Sequence, residues 1–321
     1  MIEARKLTKF YGPSRGIHDI SFQIGKGEIV GLLGPNGAGK STTIRILTGY
    51  IPPTSGAAFV GGFDTLTQST RARNCIGYLP ENVPIYPELR VEEYLYYRAA
   101  LKNVPRSERR ARVESAIERV RLQNYRKRIS GHLSKGYRQR LGLAGALVAD
   151  PPVLILDEPT VGLDPNQVFE MRALVRDLSV NRTILLSTHI LPEVEAVCSR
   201  VLVINEGRLA ADEPMDQLLR NAAMERARVR MTVRNADPQL ANRLRAIAGV
   251  ETVTFDSDSE PGCSRWRIEV LEGHDARESI VKSVLAGGGV PIEIAAARAS
   301  LEEVFGNLTR HDAAAPAEVK A

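Results

Sequence analysis

A glycine-rich loop between an apolar run and a helical segment constrains the fold of this chain more than any other feature. Residues 28–33 form a short apolar run, as in a strand buried on both faces of a sheet. Residues 41–47 have a helical pattern that stops before Gly49. Because the loop between them fits GxxxxGK[ST], the sequence predicts the strand–loop–helix unit of phosphate-binding α/β proteins.

The loop has the chemistry that a nucleotide phosphate requires. Its glycines allow backbone N–H groups to turn toward the β- and γ-phosphates, and the following helix directs its positive end at the same anion. Lys40 adds a charge, and the Ser41 hydroxyl can hold Mg²⁺. The alternative, a simple glycine turn, requires neither the strand before it nor the helix after it. The predicted nucleotide-binding residues are Gly34, Pro35, Asn36, Gly37, Ala38, Gly39, Lys40, Ser41 and Thr42.

A second apolar run, Val153–Leu156, ends in the carboxylates of Asp157 and Glu158. Open α/β sheets bind ligands at the carboxyl ends of their strands, so these carboxylates are expected beside the phosphates. Asp157 would hold Mg²⁺ directly or through water, and Glu158 would polarise the attacking water. The alternative is an acidic strand end that caps a neighbouring helix.

Alternating strand and helix patterns predict a doubly wound α/β core over residues 1–220. Residues 2–7 and 17–24 also resemble strands, and the pattern is helical from 91 to 122. The other predicted strands are residues 57–60, 76–79, 183–187 and 201–205, and the helices between the later ones are 167–178 and 191–197.

The composition changes near residue 220. Residues 226–310 follow the order βαββαβ, which suggests a small α+β ferredoxin-like module. A last short helix is predicted at 300–308, with Ser300 and Glu303 placed as a capping box. Residues 311–321 are Ala-rich and polar, and we expect them to form a disordered tail.

Composition argues against several classes of protein. No apolar run approaches the roughly 18 residues that span a bilayer, and the N-terminus lacks the apolar core of a signal peptide. The chain is therefore expected in the cytoplasm, with any membrane role supplied by a partner. The cysteines, Cys75, Cys198 and Cys263, lie far apart without CxxC spacing, which argues against a disulfide framework or a structural metal site.

The net charge of +5 is unevenly distributed. Residues 98–140 carry fourteen Lys or Arg against three Glu, whereas the rest of the chain is net acidic. Two interpretations stay open: a solvated helical face, or a surface beside anionic lipid headgroups or a membrane partner. Nucleic acid is not expected as a partner, because no aromatic residues alternate with the basic ones as in a stacking surface.

With the glycine-rich loop at 34–41 and the acidic strand end at Asp157 and Glu158, residues 1–220 resemble the ATP-binding subunit of ABC transporters. Leu133–Tyr137 reads Leu-Ser-Lys-Gly-Tyr, which is similar to the LSGGQ signature of that family. In the family, the Ser and second Gly contact the γ-phosphate of ATP held by the opposite subunit, and Ser134 and Gly136 match them. Lys135 and Tyr137 depart from the commonest form. Ser134 also stands where a serine would cap a helix, since caps and phosphate sites use the same N–H groups.

Other positions follow the same resemblance. Tyr11 matches the aromatic residue that stacks on adenine, and His189 matches the switch histidine that reaches the γ-phosphate. Gly162–Asp164 resembles the D-loop, which crosses the dimer interface. Glu81 stands where the family usually has Gln. Either side chain can ligate a hard cation, so Glu81 joins Ser41 and Asp157 as an expected metal ligand, and its charge could raise a nearby carboxyl pKa.

The resemblance implies a P-loop NTPase ABC cassette, with a RecA-like core and a helical subdomain at about 82–150. It implies ATP and Mg²⁺ as cofactors, catalysis by Glu158 and His189, and dimerisation around two ATP with a second copy or a related cassette. Residues 78–82 and 133–140 are most similar to the gliding-motility-type branch of the ABC-2 exporters, and residues 299–305 to the C-terminal extension of ABC-2 subunits. That branch implies export through a separate permease, with this chain at the inner face of the cell membrane.

Two other functions remain as alternatives. A soluble ABC ATPase switch without a transporter would resemble translation factors or DNA-repair ATPases. Translation factors of this kind usually carry two cassettes, whereas this sequence has one phosphate loop. The DNA-repair ATPases carry a long coiled coil, and this sequence has no heptad run that would form one. Alternatively, residues 226–310 could be a ligand-sensing or dimerising module, although no cluster of polar residues there suggests a ligand site.

Overall fold

The computed structural model describes residues 1–12, 14–218, 227–260, 262–271 and 274–297. The chain divides into two compact units, Met1–Met215 and a second unit that begins at Asp216. Among the described residues, no helix is long and apolar enough to cross a membrane.

The described part of the first unit is built on two sheets. The larger has six strands in the order β10-β9-β3-β8-β7-β6, all parallel except the edge strand β10. Its strands are β3 (Ile29–Leu33), β6 (Ile76–Leu79), β7 (Val153–Asp157), β8 (Thr183–Ser187), β9 (Arg200–Asn205) and β10 (Arg208–Pro214). The antiparallel sheet, in the order β2-β1-β4-β5, has strands β1 (Ile2–Tyr11), β2 (Ser14–Ile24), β4 (Ser55–Val60) and β5 (Phe63–Asp64).

Helix α1 (Lys40–Leu47) packs against strands of both sheets and positions the glycine-rich loop before it. Its buried face, with Ile44, Ile46 and Leu47, joins one apolar core with residues of β1, β3, β4 and β7. All five residues of β7 and all five of β8 are buried, as expected for central parallel strands. The other helices of this unit are α2 (Ser69–Asn74), α3 (Val91–Leu101), α4 (Arg106–Arg119), α5 (Lys135–Leu147), α6 (Pro165–Ser179) and α7 (Leu191–Val197).

Helices α3, α4 and α5 pack on one another, and α5 packs against β6. This helical group therefore connects directly to the strand that precedes Glu81. Short 3₁₀ turns at Gln123–Tyr125 and Ser130–His132 link α4 to α5.

The first strand extends beyond its predicted end. β1 continues from Leu7 to Tyr11 because its polar end is paired on both sides, with Thr8 opposite Ser55 and Tyr11 opposite Ser14. The sequence also failed to predict α2, β5 and β10. The last of these is an edge strand of mixed polar and apolar residues, and among the described strands it pairs with β9 alone.

The second unit contains one antiparallel sheet in the order β12-β13-β11-β14. Its elements follow one another as strand, helix, two strands, helix and strand, and its core is centred on Met231, Ile268 and Ile280. They are β11 (Ala227–Arg234), α8 (Leu240–Arg245), β12 (Val250–Glu260), β13 (Cys263–Val270), α9 (Arg277–Ala286) and β14 (Val290–Ala297). The helix predicted at 300–308, with Ser300 and Glu303, and the tail predicted at 311–321 lie outside the described residues.

Candidate active site

The glycine-rich loop joins β3 to α1 and has two glycines in the left-handed region, Gly37 at φ 82° and Gly39 at φ 112°. A Cβ atom on Gly39 would lie 2.6 Å from Cγ2 of Ile17, whereas one on Gly37 would meet nothing within 4 Å. Backbone conformation and packing therefore both require glycine at position 39, while only conformation does so at 37.

Lys40 folds back into this loop. Its Nζ donates to the carbonyl oxygens of Gly34, at 2.6 Å, and Pro35, at 3.2 Å. Burial lowers the pKa of Lys40, and the carboxylates of Glu158 and Asp157 oppose that shift. The Lys40 ammonium is thus a buried cation within the loop, near the carboxylates of Glu158 and Asp157.

A cavity of about 270 Å³ opens in front of the loop. Glu81 follows β6, Glu158 follows β7 and His189 follows β8, and all three side chains line the cavity because these strands end at one edge of the sheet. The cavity therefore brings together most of the predicted catalytic and phosphate-binding residues. Its loop residues are Asn36, Gly37, Gly39, Lys40, Ser41 and Thr42.

Asp157 lies at the end of β7, where its carboxylate accepts a hydrogen bond of 2.5 Å from Oγ of Ser187. Burial raises the pKa of the Asp157 carboxyl, the Ser187 hydrogen bond opposes this, and the negative charges of Glu158 and Glu81 reinforce it. A cation bound close to Asp157 would lower the pKa of this carboxyl again, because it would offset the charges of Glu158 and Glu81.

Glu158 and His189 form a pair at the cavity wall. The backbone of Glu158 has a positive φ of 49°, and its N–H donates to the carbonyl oxygen of Ser187 at 3.0 Å. Nδ1 of His189 lies 3.0 Å from each carboxylate oxygen of Glu158. The buried carboxylate is thus held by a histidine whose side chain is about half exposed.

The donors fit a magnesium ion that is shared with phosphates. Ser41 and Glu81 line the cavity, and the buried Asp157 carboxylate at the end of β7 acts electrostatically on Lys40, which also lines it. Across the described part of the chain, no group of three or more His, Cys, Asp or Glu is arranged to hold a metal. Magnesium usually keeps waters and substrate phosphates among its ligands, so a set of few protein oxygens matches it better than a full protein cage would.

The cavity lining leaves out eight of the predicted residues: Tyr11, Gly34, Pro35, Ala38, Ser134, Gly136, Asp157 and Asp164. Tyr11 lies at the end of β1, and its ring packs on Gly16, where a Cβ atom would approach Cε2 of the ring to 2.8 Å. Because Gly16 lines the cavity, the half-exposed Tyr11 ring borders its rim.

The predicted helix cap at Ser134 is wrong in one respect. Ser134 is the N-cap residue of α5, but its hydroxyl makes no capping hydrogen bond, so the first N–H groups of α5 are not satisfied by it. Gly136 is buried, and a Cβ atom there would clash with Oε1 of Gln167. A Cβ atom on Gly162 would likewise clash with Nζ of Lys135. The signature turn therefore packs on the D-loop and α6 of its own chain.

Asp164 has a local structural role. Its carboxylate accepts a hydrogen bond of 3.0 Å from the N–H of Gln167 and caps α6, with Pro165 at the first helical position. The sequence did not indicate Gln139, whose Nε2 donates to the carbonyl oxygen of Glu81 at 3.3 Å. This contact links the signature helix α5 to the segment after β6, and no spacing rule could have paired residues so far apart.

A second cavity, the basic cleft, has a volume of about 480 Å³ and lies between α1, the end of β6 and helix α3. Arg45, Arg73, Arg98 and Lys102 line it, together with Tyr50, Tyr78 and Tyr94, and its lining within the described chain includes no Asp or Glu. Two members of the basic stretch at 98–140 thus face this cleft.

Other members of that stretch are paired. Arg112 and Arg119 contact Asp150, and Arg126 contacts Glu92. Inside the cleft, by contrast, Nε of Arg98 is buried without a hydrogen-bond partner. The ammonium of Lys102 donates only to the carbonyl oxygens of Arg73 and Ile76, at 2.8 and 2.9 Å, in the hydrogen bonds the structure describes.

Comparison with known proteins identifies the family. The profile described as ABC transporter matches residues 17–161. The linearmycin resistance ATP-binding protein LnrL of Bacillus subtilis (strain 168) is 31% identical over 314 residues, which cover 96% of this chain and 98% of LnrL. The chain belongs to the ABC transporter family of ATP-binding proteins. The bacitracin transport ATP-binding protein BcrA of Bacillus licheniformis is 39% identical over 220 residues, which cover 68% of this chain and 71% of BcrA.

The fold agrees with this assignment. A solved ATP-binding subunit of an ABC transporter, 32% identical, superposes with a TM-score of 0.63 over 69% of this chain and 92% of its own length. The predicted ABC cassette fold is therefore confirmed, and the chain is an ATP-binding ATPase of the kind coupled to transport. These relatives give no support to the alternative of a soluble switch.

Proposed function

We propose that this chain is the ATPase of an ABC-2-type exporter and works as a homodimer at the inner face of the cell membrane, beside a separate permease. The observation that supports it most is the composition of the 270 Å³ cavity, which gathers the phosphate loop, Glu81, Glu158 and His189 but neither Ser134 nor Gly136. One copy thus supplies the loop side of the phosphate site, and the signature turn of a second copy would supply the other side. The names of LnrL and BcrA, which refer to resistance and transport, agree with export.

ATP would bind with its phosphates in the loop and its adenine against Tyr11. Lys40 would then exchange the carbonyl oxygens of Gly34 and Pro35 for phosphate oxygens. Ser41, Asp157 and Glu81 would hold Mg²⁺, which neutralises phosphate charge when bound.

Glu158 would polarise the water that attacks the γ-phosphorus. The bond from the γ-phosphorus to its bridging oxygen would then break, and ADP and inorganic phosphate would be released. His189 would hold the carboxylate of Glu158 at the 3.0 Å seen here and reach the γ-phosphate from its half-exposed position. Loss of the γ-phosphate would remove the anion that both copies hold.

Closure of the dimer would place Ser134 and Gly136 of one copy on the γ-phosphate of the other. The uncapped N-terminus of α5 suits this contact, because the hydroxyl of Ser134 is not engaged in its own helix. Gln167 would have to move from Gly136 before a phosphate could approach that amide.

We further propose the domain assignments. Residues 1–220 would form the cassette, with a helical subdomain at about 82–150. Residues 226–310 would form a ferredoxin-like module, supported by the strand order β12-β13-β11-β14 and the two helices between its strands. Glu81 and the Leu-Ser-Lys-Gly-Tyr signature favour the gliding-motility-type branch.

The permease would contact the basic cleft through a segment that carries carboxylates. Arg98 has an unpartnered buried Nε there, and burial together with the charges of Arg98 and Arg73 lowers the pKa of Lys102 to about 8. An acidic segment would complement both groups. The cleft also adjoins Pro80 and Asn82, which flank Glu81, so docking there would connect the permease to the catalytic cavity.

A Glu158→Gln protein tests the proposal. We expect it to bind ATP, to form a stable dimer when ATP saturates it, and to hydrolyse ATP poorly, because the base is lost while the phosphate contacts stay. Sedimentation and single-turnover hydrolysis measure both effects. Lys40→Ala is the matched control, which should weaken nucleotide binding itself. A Glu158→Gln protein that stays monomeric in saturating ATP, or turns over like the wild type, would contradict the proposal.

A further inference from the structure

A buried carboxylate joins the two segments that carry Glu158 and His189. Glu193 lies in the first turn of α7 and is 2% exposed. Its Oε1 accepts a hydrogen bond of 2.5 Å from Oγ1 of Thr160, and its Oε2 accepts one of 3.1 Å from Oγ1 of Thr188. Thr160 lies two residues after Glu158, and Thr188 immediately precedes His189.

The directions of these hydrogen bonds are fixed. Both threonine hydroxyls donate, one to each carboxylate oxygen of Glu193. Oγ1 of Thr188 also accepts from the N–H of Ile190 at 3.0 Å, which leaves its proton for the carboxylate. Each carboxylate oxygen therefore holds a different segment, and neither threonine can turn away without losing a buried hydrogen bond.

A buried carboxylate is unfavourable unless its oxygens are satisfied. Glu193 has no ion-pair partner among the described residues, so the two threonine hydroxyls are what satisfy its carboxylate oxygens. An apolar side chain would fill this site without that requirement. A carboxylate at this point is therefore better explained by the two segments that it connects than by stability alone.

The connection continues the pairing of β7 and β8 beyond the ends of the strands. Asp157 is the last paired residue of β7, opposite Ser187, and Glu158 N–H donates to the carbonyl oxygen of Ser187. Beyond Asp157 and Ser187 the two strands are no longer paired. The side chain of Glu193 then joins the two segments by its hydrogen bonds with Thr160 and Thr188.

We propose that Glu193 is a positioning residue that sets the relation between Glu158 and His189 and connects both to the D-loop, which begins at Gly162, two residues after Thr160. The inference rests on the catalytic roles proposed above for Glu158 and His189. A displacement of the D-loop by a second copy of the chain is then passed through Thr160 and Glu193 to Thr188 and the adjacent histidine. The residue acts on turnover and not on nucleotide affinity, since it does not line the phosphate cavity.

Paired substitutions at the two threonines test this role. Thr160→Val and Thr188→Val keep the volume but remove the hydroxyl, whereas Thr160→Ser and Thr188→Ser keep the hydroxyl. In the full chain, we expect each Val variant to lower kcat for ATP by about tenfold with KM changed by less than about twofold, and each Ser variant to stay within about twofold of wild-type kcat. Thermal unfolding of all four variants, with assays well below the lowest Tm, separates turnover from folding.

Equal kcat in the Val and Ser variants of a residue would overturn the proposal, as would a loss confined to KM. Glu158→Gln, assayed in parallel, distinguishes this failure from that of the proposed site. If Glu158→Gln is inactive while the Val variants turn over normally, only the role of Glu193 is wrong. If Glu158→Gln turns over like the wild type, the catalytic assignment is wrong and the role of Glu193 falls with it.

Discussion

At the scale of single residues, the phosphate loop shows how a glycine can be required for two separate reasons. Gly37 and Gly39 both have a positive φ, but only Gly39 also lacks space for a side chain because of Ile17. The sequence pattern GxxxxGK[ST] marks both positions and cannot tell them apart, since the clash comes from a residue of β2.

This difference predicts unequal costs of substitution. Gly37→Ala should lower the free energy of unfolding by about 1–2 kcal/mol, the usual cost of a left-handed residue with a Cβ atom. Gly39→Ala should lose about 1–3 kcal/mol more, because Ile17 must also move. Urea unfolding of the two variants measures the difference directly. Equal losses would show that the contact with Ile17 relaxes without cost.

Lys102 predicts a pH dependence of stability. Its pKa is about 8 in the native protein, below the ordinary 10.5, because of burial and the nearby charges of Arg98 and Arg73. Between about pH 8 and 10.5 the unfolded chain therefore binds more protons, and the contribution of Lys102 to stability rises with pH. Relative to Lys102→Met, the wild type should gain on the order of 1 kcal/mol between pH 8 and 9 in urea unfolding. If the difference in unfolding free energy between the wild type and Lys102→Met does not change between pH 8 and 9, the lowered pKa of Lys102 is contradicted.

At the scale of helices and strands, the sequence predicted segments with a buried apolar pattern well, and it predicted the polar end of β1 and the mixed strand β10 poorly. β6, β8 and α7 begin and end where the patterns place them, because each has apolar side chains that are buried. The polar end of β1 and the edge strand β10 depend on partners elsewhere in the chain, so no local pattern reveals them.

The basic cleft beside α3 predicts a charge effect on assembly with the permease. Arg98→Glu should reduce co-purification of the permease by about tenfold or more, because it places an acidic group opposite the proposed acidic segment. Arg106→Glu is the matched control: it makes the same change of charge at an exposed position in α4, outside the cleft. Equal recovery of the permease with both variants would show that the cleft is not its docking site.

At the scale of the whole molecule, the parallel sheet explains why so much of the site could be predicted. Strand ends meet at one edge, so the residues after β3, β6, β7 and β8 could be placed together from the sequence. The contacts of Lys135 with Gly162 and of Glu193 with Thr160 could not. They join side chains of separate segments, and only the packed structure determines which of them touch.

The central claim is that each ATP is held by two copies of the chain, with the loop of one and the signature turn of the other. Two inactivating changes can therefore be placed in different copies. Lys40→Ala disables the loop, and Ser134→Arg blocks the signature turn without removing a helix cap, since the Ser134 hydroxyl makes none. Both copies also carry Glu158→Gln, so that bound ATP is retained.

We predict that neither variant alone dimerises with ATP, whereas their mixture forms a species of twice 35.2 kDa with about one ATP per dimer, because one composite site is intact. Light scattering with quantification of bound ATP measures both values. A mixture that stays monomeric, or two variants that each dimerise alone as well as the parent, would contradict the shared site.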